Sequence, residues 1–153
     1  MDFETFLGNE TIKQRLSNAL AKGQISHCYL LCGPSGAGKH LLAQRLAAMM
    51  QCTGAQKPCG RCPQCHKILA GTHPDVITVD EPDKVSIPVK RVREACADLY
   101  VRPNEGQRKI YIFPRAQALN PQGQNALLKC IEEPPPYGAF LPVSYTHLTL
   151  PTK

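Results

Sequence analysis

The chain has 153 residues, of which 42% are apolar, so one core-bearing domain is expected and general disorder is excluded. Its net charge of +6 permits contact with nucleic acid but fits a solvated basic surface equally well. No apolar run reaches the length of a membrane span, and the acidic start "MDFETFLGNE" is not a secretory signal. These features predict a cytoplasmic protein without a membrane partner.

The first half of the chain alternates between helix and strand signals. Asn9 can cap a helix over residues 10–22, which Gly23 ends, with Ile12, Leu16 and Leu20 on one face. The apolar run "CYLLC" at 28–32 predicts a buried strand that ends at a glycine-rich loop. A second helix follows this loop. Its core-facing side chains are expected to be Leu42, Leu46 and Met49 or Met50.

The second half repeats the same alternation. "DVITV" at 75–79 and "KIYIF" at 109–113 predict two further strands. A helix is expected after Pro88, and Asn120 with Pro121 opens another that runs through Glu133. The predicted fold is therefore α/β, with a mainly parallel sheet and helices on both faces. The inward-facing residues of these two helices would be Val89, Val92, Cys96, Leu99, Leu127, Leu128 and Ile131.

A phosphate-loop motif lies between the first strand and the second helix. The pattern G-x-x-x-x-G-K-[ST] is filled by Gly33, Gly38 and Lys39, but His40 stands where a Ser or Thr hydroxyl would hold magnesium. The order of strand, glycine-rich loop and helix is the context that such a loop requires. The candidate nucleotide-binding residues are Gly33, Pro34, Ser35, Gly36, Ala37, Gly38, Lys39 and His40.

Four of the eight cysteines are crowded into the pattern C-x6-C-x2-C-x2-C. Cys52, Cys59, Cys62 and Cys65 have the number and spacing of ligands for one tetrahedral zinc ion, and four thiolates leave no open position for catalysis. Reactive redox cysteines are the alternative interpretation. The spacing predicts a structural zinc module at 52–65, inserted into the α/β domain.

The remaining cysteines and nearby histidines have simpler interpretations. A disulfide framework is not expected in a cytosolic chain, so Cys28, Cys32, Cys96 and Cys130 are interpreted as small buried side chains. His66 and His73 exceed the ligand number and are expected to be ordinary surface residues.

The residues for a second half of an ATPase site are missing from the expected place. Such a site needs an acidic residue after an apolar strand, where it holds magnesium. After "KIYIF" stand Pro114 and Arg115, which can neither bind magnesium nor accept a proton, and Arg115 adds a positive charge. In an ATPase, the positions of His40, Pro114 and Arg115 would carry residues that bind magnesium or activate water. All three depart from that pattern here.

Several segments together resemble the bacterial clamp-loader subunits of DNA polymerase III, over about residues 3–140. They are "SHCYLLCGPSGAGKHLLAQRLAAMMQC", "PCGRCPQC", "GTHPDVITV" and "NALLKCIEEPP". The resemblance implies an AAA+ phosphate-loop fold with a zinc module whose ligands match the four crowded cysteines. It also implies other loader subunits, gamma/tau and delta, as partners, and through the assembled loader the sliding clamp and primed DNA.

Two kinds of subunit within that family differ at the departing positions. The gamma/tau ATPases have Thr after the loop lysine and Asp-Glu after the third strand, whereas the delta-prime subunit is a non-hydrolysing stator. His40, Pro114 and Arg115 fit the second kind, although its Ser-Arg-Cys motif does not occur here. The resemblance thus implies a component of the polymerase holoenzyme with no catalytic residues and no productive use of ATP and magnesium.

Two other functions stay open at this point. The chain could be a gamma/tau-like ATPase with unusual magnesium ligands, or a zinc-ribbon nucleic-acid-binding module on an inert scaffold. For the latter, Lys90, Arg91 and Arg93 offer a basic helix face, which fits a plain solvated face as well.

The resemblance fades after residue 140. Residues 1–140 are expected to form an incomplete, truncated AAA+ domain, and "LPVSYTHLTLPTK" at 141–153 a non-native tail, with the lid and collar domains of the family absent. Pro142 would interrupt hydrogen bonding if it lay in a central strand.

Overall fold

The computed structural model describes residues 10–23, 26–33, 38–54 and 59–144. Helices and strands alternate along the chain as the sequence predicted, except that residues 63–70 form an additional helix that was not predicted. The helices are α1 (Glu10–Ala21), α2 (Lys39–Gln51), α3 (Pro63–Ala70), α4 (Val89–Leu99) and α5 (Pro121–Glu132). The strands are β1 (Leu31–Cys32), β2 (Val76–Thr78), β3 (Lys109–Phe113) and β4 (Gly138–Ser144), and a short 3-10 turn (Ala116–Ala118) follows β3.

The four strands form one parallel sheet in the order β1-β4-β3-β2. β3 and β4 occupy its centre, and every residue of both strands is buried. Central strands of a parallel sheet are covered on both faces, which explains why residues 110–113 of "KIYIF" are apolar or aromatic without a polar residue between them. The ends of β2 and β3 therefore meet at one edge of the sheet, next to the start of α2.

Two apolar clusters on opposite faces of the sheet confirm helices on both sides. Ile110 and Ile112 of β3 belong to the cluster that contains the predicted core residues Leu42, Leu46, Met49 and Met50 of α2. Tyr111 and Phe113, which alternate with them, belong to the cluster that contains Val92 and Leu99 of α4 and Leu127 of α5. The alternation along β3 thus divides one strand between two cores.

The helix ends follow the predicted capping in the described residues. Asn120 accepts a hydrogen bond from the Gly123 amide at 2.8 Å, and Pro121 opens α5, which ends at Glu132. Gly23 follows α1 with φ 68°, a left-handed conformation that suits glycine. Leu16 is buried as expected. Asn9 lies outside the described residues, and so do the side chains of Ile12 and Leu20.

Pro142 explains why β1 is shorter than predicted, and the position of β1 as an edge strand of the described sheet explains why it is less buried. The strand covers only residues 31–32, and Leu30 and Cys32 are exposed, so the prediction of a buried strand over 28–32 was wrong. Phe140 donates its amide to the His27 carbonyl at 2.8 Å and accepts from the Tyr29 amide at 3.1 Å. By the parallel pattern the next donor toward β1 would be the amide of residue 142, which proline lacks. The hydrogen-bond ladder between β4 and residues 28–32 is therefore interrupted at Tyr29 and resumes in β1.

β4 runs past residue 140, where the resemblance seen in the sequence fades. Leu141, Val143 and Ser144 are buried, and the Gly33 amide at the start of the phosphate loop donates to the Ser144 carbonyl at 3.1 Å. These residues complete the centre of the sheet. The foreign origin of 141–153 stays a prediction, and residues 145–153 lie outside the described part of the chain.

Replacing Pro142 with valine should give a stability about 1 kcal/mol higher than the same replacement at Pro136, because a strand-forming residue of similar size restores the missing donor. The measurement is the midpoint of urea unfolding. Pro136→Val, in an exposed turn, is the matched control for the lost rigidity of the unfolded chain. No gain of Pro142→Val over this control would contradict the proposed break in the ladder.

Cys96 and Cys130 form a disulfide between α4 and α5. The interpretation of these two residues as separate small buried side chains was therefore wrong. Their sequence separation of 34 residues gave no spacing pattern, and only the packing of the two helices brings them together. Cys28 is half-buried and Cys32 is exposed, so neither is fully buried as expected.

Candidate metal centre and phosphate-loop site

The four crowded cysteines converge on one point. Cys52 follows the last residue of α2, Cys62 caps α3, and Cys65 lies in the first turn of α3. The Sγ atoms of these three and of Cys59 all lie within 4.8 Å of one another. Among the described residues, no other group of three or more potential ligands of this kind is present. The predicted ligand set is thus brought together as a unit.

Backbone amides surround the sulfur atoms of the cluster. Cys52 Sγ accepts from the amides of Gly54 and Cys59, each at 3.3 Å. Cys59 Sγ accepts from the Cys62 amide at 3.2 Å, and Cys62 Sγ from the Cys65 amide at 3.4 Å. Such bonds stabilise negative charge on sulfur, which metal binding requires.

The protonation of the thiols differs across the cluster. Burial alone would raise the pKa of Cys62. Hydrogen bonds from the backbone amides of Thr53 and Cys65 and from neighbouring thiols together have the larger effect, and they lower this pKa to about 6. For Cys65, burial is the largest effect and raises the pKa to about 12. Without a metal ion, the cluster therefore holds both thiols and thiolates. A divalent cation would favour the thiolate form of all four.

The backbone fits closely around the cluster. A Cβ atom on Gly54 would lie 2.9 Å from Cys59 Cβ and 3.0 Å from Cys59 Sγ. Residue 54 therefore has no space for a side chain. Four sulfur ligands, amide donors to three of them and close packing at Gly54 are what a closed, structural metal site needs.

His73 ties the cysteine module to the sheet, and the prediction that it is a surface residue was wrong. Its side chain is only 5% exposed, and Nε2 is hydrogen-bonded to Gln64 Oε1 in α3. Its Nδ1 accepts from the Asp75 amide at 3.0 Å, and burial lowers its pKa. The neutral ring with its proton on Nε2 satisfies both contacts. His66, in contrast, is exposed as expected.

Asp75 is a buried anchor that the sequence analysis did not identify. Its carboxylate accepts from the backbone amides of Asn104 at 2.6 Å, Glu105 at 2.8 Å and Gly106 at 2.7 Å. Burial raises the pKa of Asp75, but these three hydrogen bonds outweigh it and hold the pKa below its ordinary value. The loop before β3 is thereby fixed, and Lys67 of α3 forms an ion pair with Glu105 of the same loop.

The phosphate loop is described at both ends. Gly38 has φ 85° and precedes α2, so a residue with a side chain would be strained there. Lys39 Nζ donates to the Gly33 carbonyl at 2.6 Å, which places the lysine across the start of the loop, and His40 is exposed. The other four predicted residues, Pro34, Ser35, Gly36 and Ala37, lie outside the described residues.

His40 and Pro114 line the same cavity of about 170 Å³. Thr78, at the end of β2, also lines it, together with His73 and Ile68 beside the cysteine module. The structure thus brings together two of the three positions that depart from the ATPase pattern. The polar side chains that line the cavity belong to His40, Gln44, His73 and Thr78, and none of the lining residues carries a carboxylate.

Arg115, the third departing residue, is held by Asp80, which lies two residues after the end of β2. Its Nη2 and Nε donate to Asp80 Oδ1 at 2.7 and 2.9 Å, and Nη2 also donates to the Glu81 carbonyl at 2.7 Å. Hydrogen bonding to Asp80 raises the pKa of Arg115. The positive charge of Arg115 is therefore balanced. The Asp80 carboxylate at this edge of the sheet is in turn bound to the Arg115 guanidinium.

The basic face of α4 is partly neutralised. Arg91 lies 3.8 Å from Glu81 and 3.5 Å from Glu94, whereas Lys90 and Arg93 are exposed. Exposed ion pairs of this kind contribute little to stability. The helix presents two solvated cations and offers no continuous basic stripe in the described residues.

No described helix has the length and apolar character that crossing a membrane requires.

A family model described as "DNA polymerase III, delta subunit" matches residues 8–152. The DNA polymerase III subunit tau of Escherichia coli (strain K12) is 35% identical over 141 residues, which cover 91% of this chain and 22% of the relative. The DNA polymerase III subunit delta' of Pseudomonas aeruginosa is 38% identical over 117 residues, 74% of this chain and 35% of the relative.

A solved structure supports the same fold. The crystal structure of a DNA polymerase III gamma subunit-related protein from Thermotoga maritima aligns with a TM-score of 0.63 at 19% identity, over 86% of this chain and 38% of that chain. At this identity the likeness shows the fold alone. The chain spans between about a fifth and two fifths of the length of these relatives. With the family match over nearly its whole length, the chain belongs to the DNA polymerase III delta-subunit family of AAA+ clamp-loader subunits.

Proposed function

We propose that this chain carries the nucleotide-binding core of a non-hydrolysing, delta-prime-type subunit of the DNA polymerase III clamp loader. Such a subunit would act as a stator beside gamma/tau and delta in the cytoplasm. It would reach the sliding clamp and primed DNA through the assembled loader. We further propose that residues 1–140 are an incomplete AAA+ domain, to which lid and collar domains would be added in a complete subunit.

The observation that supports this function is the chemistry at the ends of β2 and β3. Phosphoryl transfer needs a metal ion that neutralises charge on the phosphates, and a group that orients water. At this edge the carboxylate of Asp80 is paired with Arg115, and Pro114 occupies the adjoining position. A metal ion here would have to separate a bidentate ion pair.

The phosphate loop could still bind an anion without hydrolysing it. Backbone amides at the start of α2 and the positive charge of Lys39 attract phosphate without a metal ion. Residues 33–40 would then form a vestigial nucleotide site. In the described contacts, Lys39 already donates to the loop carbonyl of Gly33, which would help to hold the loop shape.

The cysteine cluster is proposed to hold one structural zinc ion through Cys52, Cys59, Cys62 and Cys65. When bound, zinc would stabilise the module through four thiolate bonds and supply no catalysis. Cluster geometry, amide donors to sulfur and the absence of space at Gly54 support this assignment. A closed tetrahedral site of four thiolates suits zinc, and iron centres use the same ligand set, so elemental analysis of the metal distinguishes the two.

A gamma/tau-type ATPase is the second candidate, because a relative named tau covers more of the chain than the relative named delta'. Phosphate release distinguishes the two. We expect no ATP turnover above background from the protein, and none from His40→Thr, since that change restores a magnesium ligand but leaves Asp80 paired and Pro114 in place.

The control for this assay is Lys39→Ala, which should reduce any authentic turnover at the phosphate loop. Steady hydrolysis by His40→Thr that Lys39→Ala abolishes would overturn the stator assignment. It would show that this edge of the sheet can still bind magnesium and activate water.

A further inference from the structure

The disulfide between α4 and α5 lies far from the cysteine cluster in the sequence and takes no part in the function proposed above. Cys96 and Cys130 are 34 residues apart, and their Cα atoms are separated by 6.0 Å. That separation lies within the range observed for disulfide bonds. The positions of the two helices therefore allow the sulfurs to bond.

Apolar packing, independent of the bond, sets the distance between the two helices. Val92 and Leu99 of α4 and Leu127 of α5 are fully buried in one cluster, together with Tyr111 and Phe140 of the sheet. Because these contacts remain when the sulfurs are reduced, the two thiols stay close to each other. Oxidised and reduced forms can thus share one helix arrangement.

The two sulfurs differ in access from solvent. Cys96 is half-buried, whereas Cys130 is only 7% exposed. A small thiol or disulfide reagent would therefore reach Cys96 first. Cys130 is placed to act as the resolving thiol, since its neighbour lies within bonding distance.

We propose that Cys96 and Cys130 form a redox-sensitive clasp between α4 and α5, which opens in a reducing cytoplasm and closes under oxidative stress. Disulfides are uncommon in that compartment, and those that occur there are mostly transient or redox-sensing. The proposal uses the cytoplasmic location proposed above but not the assignment to a stator.

Closure needs a low-molecular-weight disulfide such as oxidised glutathione. The Cys96 thiolate attacks one sulfur of this oxidant and releases one reduced thiol, leaving a mixed disulfide. The Cys130 thiolate then attacks the Cys96 sulfur and releases the second thiol. Two protein thiols are oxidised, one glutathione disulfide is reduced, and the two protons pass to the leaving thiolates. Opening is the reverse sequence.

The test equilibrates the zinc-loaded protein with mixtures of reduced and oxidised glutathione, traps free thiols by alkylation and maps peptides by mass spectrometry. The background variant Cys28→Ser/Cys32→Ser removes the two free thiols outside the cluster, and a colorimetric zinc assay confirms that the cluster stays intact. We expect a Cys96–Cys130 peptide in oxidised mixtures that disappears in excess reduced glutathione. The Tm should fall by about 10 °C on opening.

Cys96→Ser is the matched variant, whose Tm should not respond to the glutathione ratio. Two results would overturn the proposal. Failure to form the linked peptide in oxidised glutathione would show that the pair does not react, and persistence of the link in excess reduced glutathione would show a permanent structural bond. Both are read from the protein with Cys96 intact, so the test does not depend on the folding of the variant.

Discussion

Replacing Cys62 with serine is expected to remove the metal ion from the cysteine cluster. Cys62 caps α3, and its Sγ lies within 4.8 Å of each of the other three sulfur atoms. Serine retains the helix cap but is a poor zinc ligand, and three thiolates alone leave an open site. Elemental analysis of reduced protein should show zinc falling from one per chain to a small residual fraction.

The same change should loosen the cysteine module without unfolding the sheet. Hydrogen exchange should increase in α3 and in the segment 52–65, while β3 and β4 stay protected, because the cluster on their other face, with Tyr111, Phe113 and Phe140, contains none of the four cysteines. Cys32→Ser, at an exposed cysteine outside the cluster, is the control and should keep its zinc. Full zinc retention in Cys62→Ser would contradict the four-thiolate site.

Replacing Asp75 with alanine should destabilise the protein by about 3 to 5 kcal/mol, because three backbone amides lose a charged acceptor inside the structure. The loop that carries Asn104, Glu105 and Gly106 would lose its anchor, and α3 its ion pair with Glu105. Urea unfolding followed by circular dichroism measures the loss. Asp83→Ala, at an exposed acid, should change the stability by less than about 0.5 kcal/mol.

The stabilisation by Asp75 should also depend on pH in a defined direction. The folded state lowers the pKa of this carboxyl, so its contribution is fully present above the unfolded pKa of about 3.9. It is lost as the pH falls through the lower folded pKa. The difference between the native protein and Asp75→Asn should therefore shrink below about pH 4. A difference that grows on acidification would contradict the anchoring role.

The parts of the fold that depend on local pattern could be predicted from the sequence. "KIYIF" is apolar or aromatic after its first residue and forms β3 at the predicted residues, because a strand buried on both faces needs no polar side. Asn120 and Pro121 mark the start of α5 because capping uses neighbouring residues. The four cysteine ligands were identifiable for the same reason, since their spacing is local.

The parts that depend on distant partners could not be predicted. Asp75 contacts amides about 30 residues away, Asp80 pairs with Arg115, and Cys96 meets Cys130 only through helix packing. His73 looked surplus because four cysteines already satisfied the metal, whereas its partner is Gln64. For Asp80, an acid directly after a predicted strand was the available signal, but the strand examined for a metal ligand was β3.

If the nucleotide site is inert, as proposed, magnesium should not raise its affinity for nucleotide. The most direct measurement is the Kd of a fluorescent ATP analogue with and without added magnesium, in metal-depleted buffer without a chelator that would strip the cysteine cluster. We expect weak binding that changes by less than about threefold, because the phosphates would be held by the loop amides and Lys39 alone. A gain of about tenfold or more on adding magnesium, lost in Lys39→Ala, would contradict a loop that binds without a metal.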